Sequence, residues 1–218
     1  MEERLQGNPV SEGIAYAKSY IYIPGTLTKA PDFFPKGQEE EKYREFRESC
    51  EKADSELVTL YNGMCKEDPD KAKIFSAHRE LLQDEEILDE IRETICEENM
   101  NPDSAVSKVY TEFAELLAGV EDPLIAERAA DLRDVRDRLL RILSGQETSK
   151  LSSFSEDVIL VAHDLLPSDT ATMDRKHIKG ILTEVGGVNS HSAILARSYG
   201  IPAILGVPNV TEKIPSVI

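Results

Sequence analysis

The sequence predicts an α/β domain that is interrupted by an inserted all-α domain of four helices. The middle of the chain carries apolar residues with helical periodicity, whereas both flanks carry β-branched or continuous apolar runs. Charge divides at nearly the same place, because residues 1–150 have a net charge of −14 and residues 151–218 have −2. We therefore predict a discontinuous α/β domain at 1–34 and 146–218, and a helical insertion at 35–145.

The two flanks supply the predicted strands. IAYAKSYIYI at 14–23 is rich in aromatic and β-branched residues, as strands are. VILVAH at 158–163 is a continuous apolar run typical of a buried strand. Beyond it we predict a short helix from Pro167, a strand at 180–185, a helix at about 190–199 and a strand at 202–207. This alternation implies an α/β layer.

The insertion is predicted to hold four amphipathic helices, packed as a bundle or as two hairpins. The first carries an apolar stripe from Tyr43 to Met64. In the second, at 71–95, the apolar phase slips near 83–86, which predicts a bend or break. The third begins at Asn101 with a capping side chain followed by proline. Its apolar face includes Leu116 or Leu117, and the fourth helix begins near Pro123, carries Ile125 on its apolar face and ends at Gly145.

Composition narrows the classes of function and partner. With 41 acidic and 25 basic residues the net charge is −16, which disfavours nucleic acid and anionic membranes and favours a basic protein. No apolar run approaches the roughly 20 residues that span a bilayer, and the charged start MEERLQ is unlike a signal peptide. Three widely spaced cysteines match neither a disulfide framework nor a metal site. We expect a reduced, cytoplasmic protein.

The segment GGVNSHSAILAR, at 186–197, combines features of a reactive site. Its two glycines allow close backbone approach, and Asn189 or Ser190 can cap a helix that begins at His191. The free N–H groups and the positive end of the helix dipole favour an anion and disfavour a proton on the imidazole. His191 would then be a neutral nucleophile beside a phosphate cradle formed by Gly187, Asn189 and Ser190, and could hold a phosphoryl group covalently.

Other interpretations of His191 are open on the local sequence alone. An isolated Ser-His pair is most often a surface histidine at the start of an ordinary helix. Ser190 cannot form a serine-protease arrangement with its immediate neighbour, and the G-x-S-x-G motif is absent. His78, His163 and His177 stand at no metal-ligand spacing from it, so no metal is predicted in this chain.

GGVNSHSAILARSYGIPAILG resembles the phosphohistidine signature of the enzymes that use phosphoenolpyruvate (PEP). This family includes pyruvate phosphate dikinase, PEP synthase and enzyme I of the bacterial sugar phosphotransferase system. The stretches KAKIFSAHRELLQDEEIL, ERAADLRDVRDRLLR and ILVAHDLLPSDTATM resemble the amino-terminal half of enzyme I in order and spacing. Two positions depart from the usual pattern: Asn189 replaces a threonine, and Val188 stands where many members carry a basic residue.

The resemblance implies transfer of a phosphoryl group from PEP, through His191, to the histidine of the small carrier protein HPr. Thr170 matches a threonine that hydrogen-bonds the active imidazole, although it could also be a helix-surface threonine bonded to its own backbone. Arg197 fits the arginine of the signature, or complements the helix dipole. The residues that correspond to the HPr-docking surface are Glu80, Leu81, Leu82, Asp84, Glu85 and Arg128, with Lys71 as a further candidate; both leucines equally suit the core, and Lys71 could be an ordinary solvated lysine.

The family binds PEP and Mg²⁺ in a large carboxy-terminal portion that this chain does not resemble. We therefore expect a monomeric fragment of a homodimeric protein, with no cofactor in this chain. Two alternatives are open. One is the swivelling phosphohistidine domain of a dikinase or a PEP synthase, which needs no acidic docking insertion; the other is a non-catalytic acidic helical adaptor.

Overall fold

The computed structural model describes residues 4–22, 32–66, 68–145, 150–188 and 190–215. The chain divides into two compact units, and the predicted fold class is confirmed. One unit, Gly25–Thr148, is helical, and the other combines Met1–Pro24 with Ser149–Ile218 around a sheet.

The described part of the helical unit has five helices where four were predicted. They are α1 (Glu39–Met64), α2 (Pro69–Leu82), α3 (Glu85–Cys96), α4 (Pro102–Ala118) and α5 (Pro123–Leu143). The additional helix arises because the predicted break is real. The Asp84 carboxylate accepts hydrogen bonds from the N–H groups of Glu86 and Ile87, at 3.1 and 3.2 Å, and so caps a new helix.

The core of the helical unit is built from the apolar stripes of these helices. The predicted stripe of α1 is buried at Phe46, Cys50, Ala53, Leu57 and Met64. One predicted core position is wrong, since Ile125 is 39% exposed, and of the two leucines predicted as alternatives Leu116 is 68% exposed. Both lie beside the turn that joins α4 to α5, and Leu117 takes the half-buried position instead of Leu116.

The second unit is a five-stranded mixed sheet in the order β1-β5-β4-β3-β2. β1 pairs antiparallel with β5, and the remaining neighbours are parallel. A 3-10 turn at Lys150–Ser152 precedes the third strand. The strands are β1 (Asn8–Ser11), β2 (Lys18–Tyr22), β3 (Val158–Ala162), β4 (Ile178–Thr183) and β5 (Ala203–Leu205), and the helices are α6 (Pro167–Thr172), α7 (His191–Tyr199) and α8 (Val210–Lys213).

Both faces of this sheet are covered. Leu160 and Ile181 face one core with Ala193 and Ala196 of α7, whereas Val161 faces a smaller core on α8. The continuous apolar run of β3 is explained by this, because a strand buried on both sides has no polar face.

The strand predicted at 14–23 is shorter than expected. It corresponds to β2, which begins at Lys18, and the preceding residues Ile14 and Tyr16 are 100% and 99% exposed. The alternating pattern of IAYA resembled a strand, but these residues form a segment that joins β1 to β2. None of the helices in the described part of the chain combines the length and low charge needed to cross a membrane.

Candidate functional site

The start of α7 places His191 at the edge of the sheet where the parallel strands end. β4 ends at Thr183, and the following segment turns back to begin α7 at His191, whose backbone alone is described. Ser190 caps the helix, because its hydroxyl oxygen accepts from the N–H of Ala193 at 3.3 Å. This confirms a predicted capping residue; Asn189, the other candidate, lies outside the described residues.

The two glycines of this loop have different roles. Gly186 has a φ of +110°, and a Cβ there would approach Leu205 Cδ1 at 3.3 Å and Ser190 Oγ at 3.4 Å. Its conformation therefore favours glycine. A Cβ on Gly187 would meet no atom within 4 Å, so this residue borders open space at the start of α7.

Three carbonyl groups of the loop accept hydrogen bonds from this chain. Thr183 Oγ1 donates to the carbonyl of Val185 at 2.5 Å, the N–H of Ser190 donates to that of Gly187 at 3.0 Å, and Arg197 Nη2 donates to that of Val188 at 2.9 Å. Within the part of the chain that the structure describes, the N–H groups of Gly187 and Val188 have no protein acceptor. The loop therefore keeps donors available beside a helix N-terminus, an arrangement that suits an anion.

Thr170 is buried on α6, which packs against α7. Its hydroxyl donates to the carbonyl of Pro167 at 2.8 Å, so the bond to its own backbone is present although the surface position is not. A hydroxyl whose proton is used in this way can still accept a hydrogen bond. Ser192 connects α7 to the segment just before α6, since its buried hydroxyl donates to the carbonyl of Leu165 at 3.3 Å.

Comparison with known proteins covers both units. Residues 6–128 match the family model "PEP-utilising enzyme, N-terminal", and residues 154–216 match "PEP-utilising enzyme, mobile domain". The chain belongs to the PEP-utilising enzymes. The predicted resemblance to the amino-terminal part of enzyme I is thereby confirmed.

Individual relatives support the same family assignment. The phosphoenolpyruvate-protein phosphotransferase of Priestia megaterium is 39% identical over 215 residues, and that of Mycoplasma pneumoniae is 36% identical over 222 residues. The alignments cover 98% and 97% of this chain, which spans 37% of the length of either relative. A solution structure of Enzyme I is similar with a TM-score of 0.81 and 37% identity, over 98% of this chain and 86% of that one.

The predicted docking residues with charged side chains lie at three places on the helical unit. Glu80, Asp84 and Glu85 are exposed around the end of α2 and the start of α3, and we call these three residues the junction surface. Arg128 is exposed on α5. Lys71 is half-buried and lies beside Asp68, with 3.4 Å between Nζ and the carboxylate.

The two leucines of the predicted docking segment are not equivalent. Leu82 is 2% exposed and belongs to the helical core, so a contact role for its side chain is wrong. Leu81 is half-buried, and its carbonyl accepts from the Tyr110 hydroxyl at 3.4 Å. A helix that packs one face inward cannot expose both of two consecutive leucines to the same degree, because neighbouring residues point about 100° apart.

Sequence reasoning missed an exposed apolar group on the same unit. Leu116, Val120 and Ile125, at 68, 38 and 39% exposure, flank the turn between α4 and α5, and we call them the hairpin patch. Periodicity assigned Ile125 to the core, with Leu116 as one of two alternatives on α4, because their spacing fits a buried stripe. The signal that could have found them is the excess of apolar residues at the two helix ends.

A second missed group lies at the carboxyl edge of the sheet. His163 follows β3 and Glu184 follows β4, with His163 Nδ1 2.7 Å from Glu184 Oε2. Glu184 also accepts from the N–H of Thr211 at 3.0 Å and from its hydroxyl at 2.5 Å. Parallel neighbours end at the same edge, and this rule could have joined the two residues. Among the described side chains, no group of three or more His, Cys, Asp or Glu residues could hold a metal.

Proposed function

We propose that His191 carries a phosphoryl group and exchanges it with the histidine of an HPr-type carrier, as part of transfer from PEP. The names of the relatives, all phosphoenolpyruvate-protein phosphotransferases, give the reaction class. The observation that carries the proposal is the loop before His191: the carbonyls of Val185, Gly187 and Val188 are occupied, while the N–H groups of Gly187 and Val188 have no acceptor among the described residues.

The start of α7 favours negative charge for two physical reasons. The first N–H groups of a helix have no acceptor within the helix, and the dipole places partial positive charge at the same end. α7 is nine residues long, and because the Ser190 hydroxyl accepts from the N–H of Ala193, the N–H groups of His191 and Ser192 are the ones left without an acceptor in the helix. A phosphoryl group beside Gly187 would meet no protein atom within 4 Å of the open Cβ position.

Thr170 is proposed to orient the imidazole as a hydrogen-bond acceptor. Its own proton already goes to the carbonyl of Pro167, so only the lone pairs of its oxygen are available to a histidine N–H. An imidazole that donates Nδ1–H to Thr170 has its lone pair on Nε2. This tautomer gives the nitrogen remote from the backbone as the nucleophile.

The transfer step exchanges one phosphorus–nitrogen bond for another. The lone pair on His191 Nε2 attacks the phosphorus of the phosphorylated carrier, and the bond from phosphorus to the carrier imidazole breaks. The electron pair of that bond returns to the carrier nitrogen, and each ring keeps the proton on its other nitrogen. The step is reversible, because the two bonds are chemically alike and no water takes part.

We assign carrier docking to the helical unit. The junction surface presents exposed carboxylates, and acidic residues attract a basic partner and accelerate its approach. The hairpin patch supplies exposed apolar side chains on α4, on α5 and in the turn between them, and Arg128 supplies a cation on α5. Apolar anchors and charged residues are the usual components of a docking site.

The test uses the full chain and a phosphorylated HPr-type carrier. We expect acid-labile, base-stable phosphate to appear on the chain, and His191→Ala to abolish it while leaving the unfolding midpoint unchanged. His163→Ala is the control for phosphate uptake alone, because His163 is an exposed histidine of the same unit, with 67% of its side chain accessible, although its bond to Glu184 contributes to stability. Undiminished uptake by His191→Ala would contradict the assignment.

The source of the phosphoryl group separates this proposal from its alternatives. We expect the chain to exchange phosphate with the carrier and not to be labelled by PEP and Mg²⁺ alone. Labelling by PEP without any added protein would overturn the proposed division of roles. A chain that accepts phosphate only from a small-molecule donor would instead be a dikinase-type swivelling domain, and a chain that accepts none would be an adaptor.

A further inference from the structure

Arg197 contacts the loop before His191 from the last turn of the same helix. Its guanidinium donates through Nη2 to the carbonyl of Val188 at 2.9 Å, and through Nη1 to the carbonyl of Val10 at 3.4 Å. Side chains on a helix point back toward its N-terminus, which allows Arg197 to reach a residue that precedes the helix. One side chain therefore joins α7, the loop and β1.

The loop has little packing to fix its shape near Val188. The Val188 side chain is 60% exposed, and Gly187 has no atom near the position of a Cβ. Hydrogen bonds must therefore determine the path of the backbone there. The carbonyls of Val185 and Gly187 are held from within the segment 183–190, whereas the bond to Val188 comes from outside it.

The second contact of Arg197 connects the loop to a rigid element. Val10 lies on β1, which pairs antiparallel with β5, and β5 contains Leu205, against which Gly186 packs. One guanidinium thus links the carbonyl of Val188 to β1, the edge strand of the sheet. Without the bond from Arg197, the carbonyl of Val188 in the middle of the loop would have no donor, and only the two ends of the loop would be held.

We propose that Arg197 is a positioning residue, which sets the loop conformation that presents donors to the phosphoryl group on His191. This rests on the proposed function. An arginine suits the task because its planar fork carries five N–H donors and reaches two carbonyls at once. A lysine offers the same charge from a single ammonium and cannot hold both in the same geometry.

A purely electrostatic role makes a different prediction. A cation in the last turn of a helix stabilises it through the dipole, and a lysine does this as well as an arginine. Arg197→Lys therefore separates the two roles, and Arg197→Gln removes the charge as well. Arg175→Lys is the matched control, since Arg175 lies over the ring of Tyr199 on α7, at 4.2 Å, and is an exposed arginine of the same unit.

Two measurements on the full chain test the proposal. The first is the amide order parameter of Gly187 and Val188 by NMR, which we expect to fall from about 0.85 to below about 0.6 in both Arg197 variants. The second is single-turnover phosphoryl uptake from the phosphorylated carrier. We expect the saturating rate to fall about tenfold or more, with the half-saturating carrier concentration unchanged, because misplacement of a site costs rate more than docking.

Loop order and uptake rate, taken together, either support or overturn the positioning role of Arg197. Loss of loop order and of rate in both variants, with Arg175→Lys like the parent, supports the positioning role. Parent-like order and rate in Arg197→Lys would overturn it in favour of the dipole, and a lower rate with an unchanged loop would overturn it as well. If the parent chain accepts no phosphate, the proposed function has failed, while the order parameters still decide what Arg197 does to the loop.

Discussion

His163 and Glu184 form a hydrogen-bonded pair across the ends of two neighbouring parallel strands, with 2.7 Å between Nδ1 and Oε2. The other carboxylate oxygen of Glu184 is held by Thr211 at the start of α8. The bond from His163, followed by those from Thr211, lowers the pKa of Glu184 from 4.5 to about 2. One ionised carboxylate thus joins β3, β4 and α8 beside the loop that leads to His191.

This pair predicts a loss of stability in acid. A carboxyl whose pKa is lower in the folded state stabilises the fold above its unfolded pKa, and the contribution disappears as pH falls through the folded value. For Glu184 the window lies between about 4.5 and about 2. Glu184→Gln should lower the unfolding midpoint at pH 7, and its difference from the parent should shrink across that window.

Glu212→Gln is the control for this measurement, because Glu212 is an exposed acid on the same short helix α8. A neutral substitution there should leave the midpoint close to that of the parent at every pH. A Glu184→Gln difference that stays constant down to pH 2 would show that the carboxylate charge contributes nothing and that only shape matters.

Thr170 gives the second prediction. Thr170→Val keeps the volume of a buried side chain and removes the oxygen, whereas Thr170→Ser keeps the oxygen. We expect Thr170→Val to slow phosphoryl uptake about tenfold or more and Thr170→Ser to restore most of the rate, if the oxygen orients His191. Loss of the bond to Pro167 should cost about 1 kcal/mol of folding stability in the valine variant alone.

The control for Thr170 is Thr172→Val on the same helix. Thr172 also donates to its own helix, to the carbonyl of Ser168 at 3.0 Å, but it is only half-buried. Its substitution should not change the uptake rate. Equal rates for both valine variants would remove Thr170 from the site.

The junction surface gives the third prediction, which concerns binding of the carrier. Glu80→Lys and Glu85→Lys should slow association, and the effect should weaken as salt rises, because the screening length is about 8 Å at physiological ionic strength. Asp84 caps α3, so the suitable change is Asp84→Ser, which removes the charge and keeps a capping oxygen. Chemical-shift titration with unphosphorylated carrier at two salt concentrations measures the affinity.

Glu51→Lys is the matched reversal for this experiment, since Glu51 is an exposed acid on α1 of the same unit. If it weakens binding as strongly as Glu80→Lys, net charge alone attracts the carrier and the junction surface has no special part. Binding that is indifferent to salt and to every reversal would contradict docking on the helical unit.

The leucines give the fourth prediction. Leu82→Ala should destabilise the fold by about 2–5 kcal/mol, since the side chain is 2% exposed and its removal leaves a cavity. Leu116→Ala should leave stability nearly unchanged, because that side chain is 68% exposed, and should shorten the lifetime of the carrier complex. Urea unfolding and dissociation kinetics of the two variants separate a core role from a docking role.

Periodicity and capping chemistry predicted most of the helical unit from sequence. The stripe of α1 and the break between α2 and α3 are visible because a helix needs a regular spacing and a new helix needs a cap. The strand predicted at 14–23 was partly wrong, since the pattern of Ile14 and Tyr16 does not reveal whether a partner strand exists. β1 was missed because four residues that include Pro9 carry almost no periodic signal.

Sequence reasoning predicted only part of the candidate site. Gly186, Ser190 and the start of α7 at His191 follow from local rules of turns and caps. The bonds from Thr183 and Arg197 to the loop, and the pair of His163 with Glu184, join residues through the folded sheet. Such contacts depend on strand order and register, which the local pattern of a single sequence does not specify.

The insertion between β2 and β3 has a consequence for how the protein forms. These strands pair in parallel from Lys18 with Val158 to Tyr22 with Ala162, so the whole of Gly25–Thr148 lies between two partners in one ladder. Closing so long a loop is entropically costly before any strand contact compensates for it, and non-local pairing slows folding. The helical unit is continuous in the chain and held by contacts closer in sequence, so it can form first on a ribosome. Its compaction then brings the chain ends that flank it nearer together and makes the ladder faster to close.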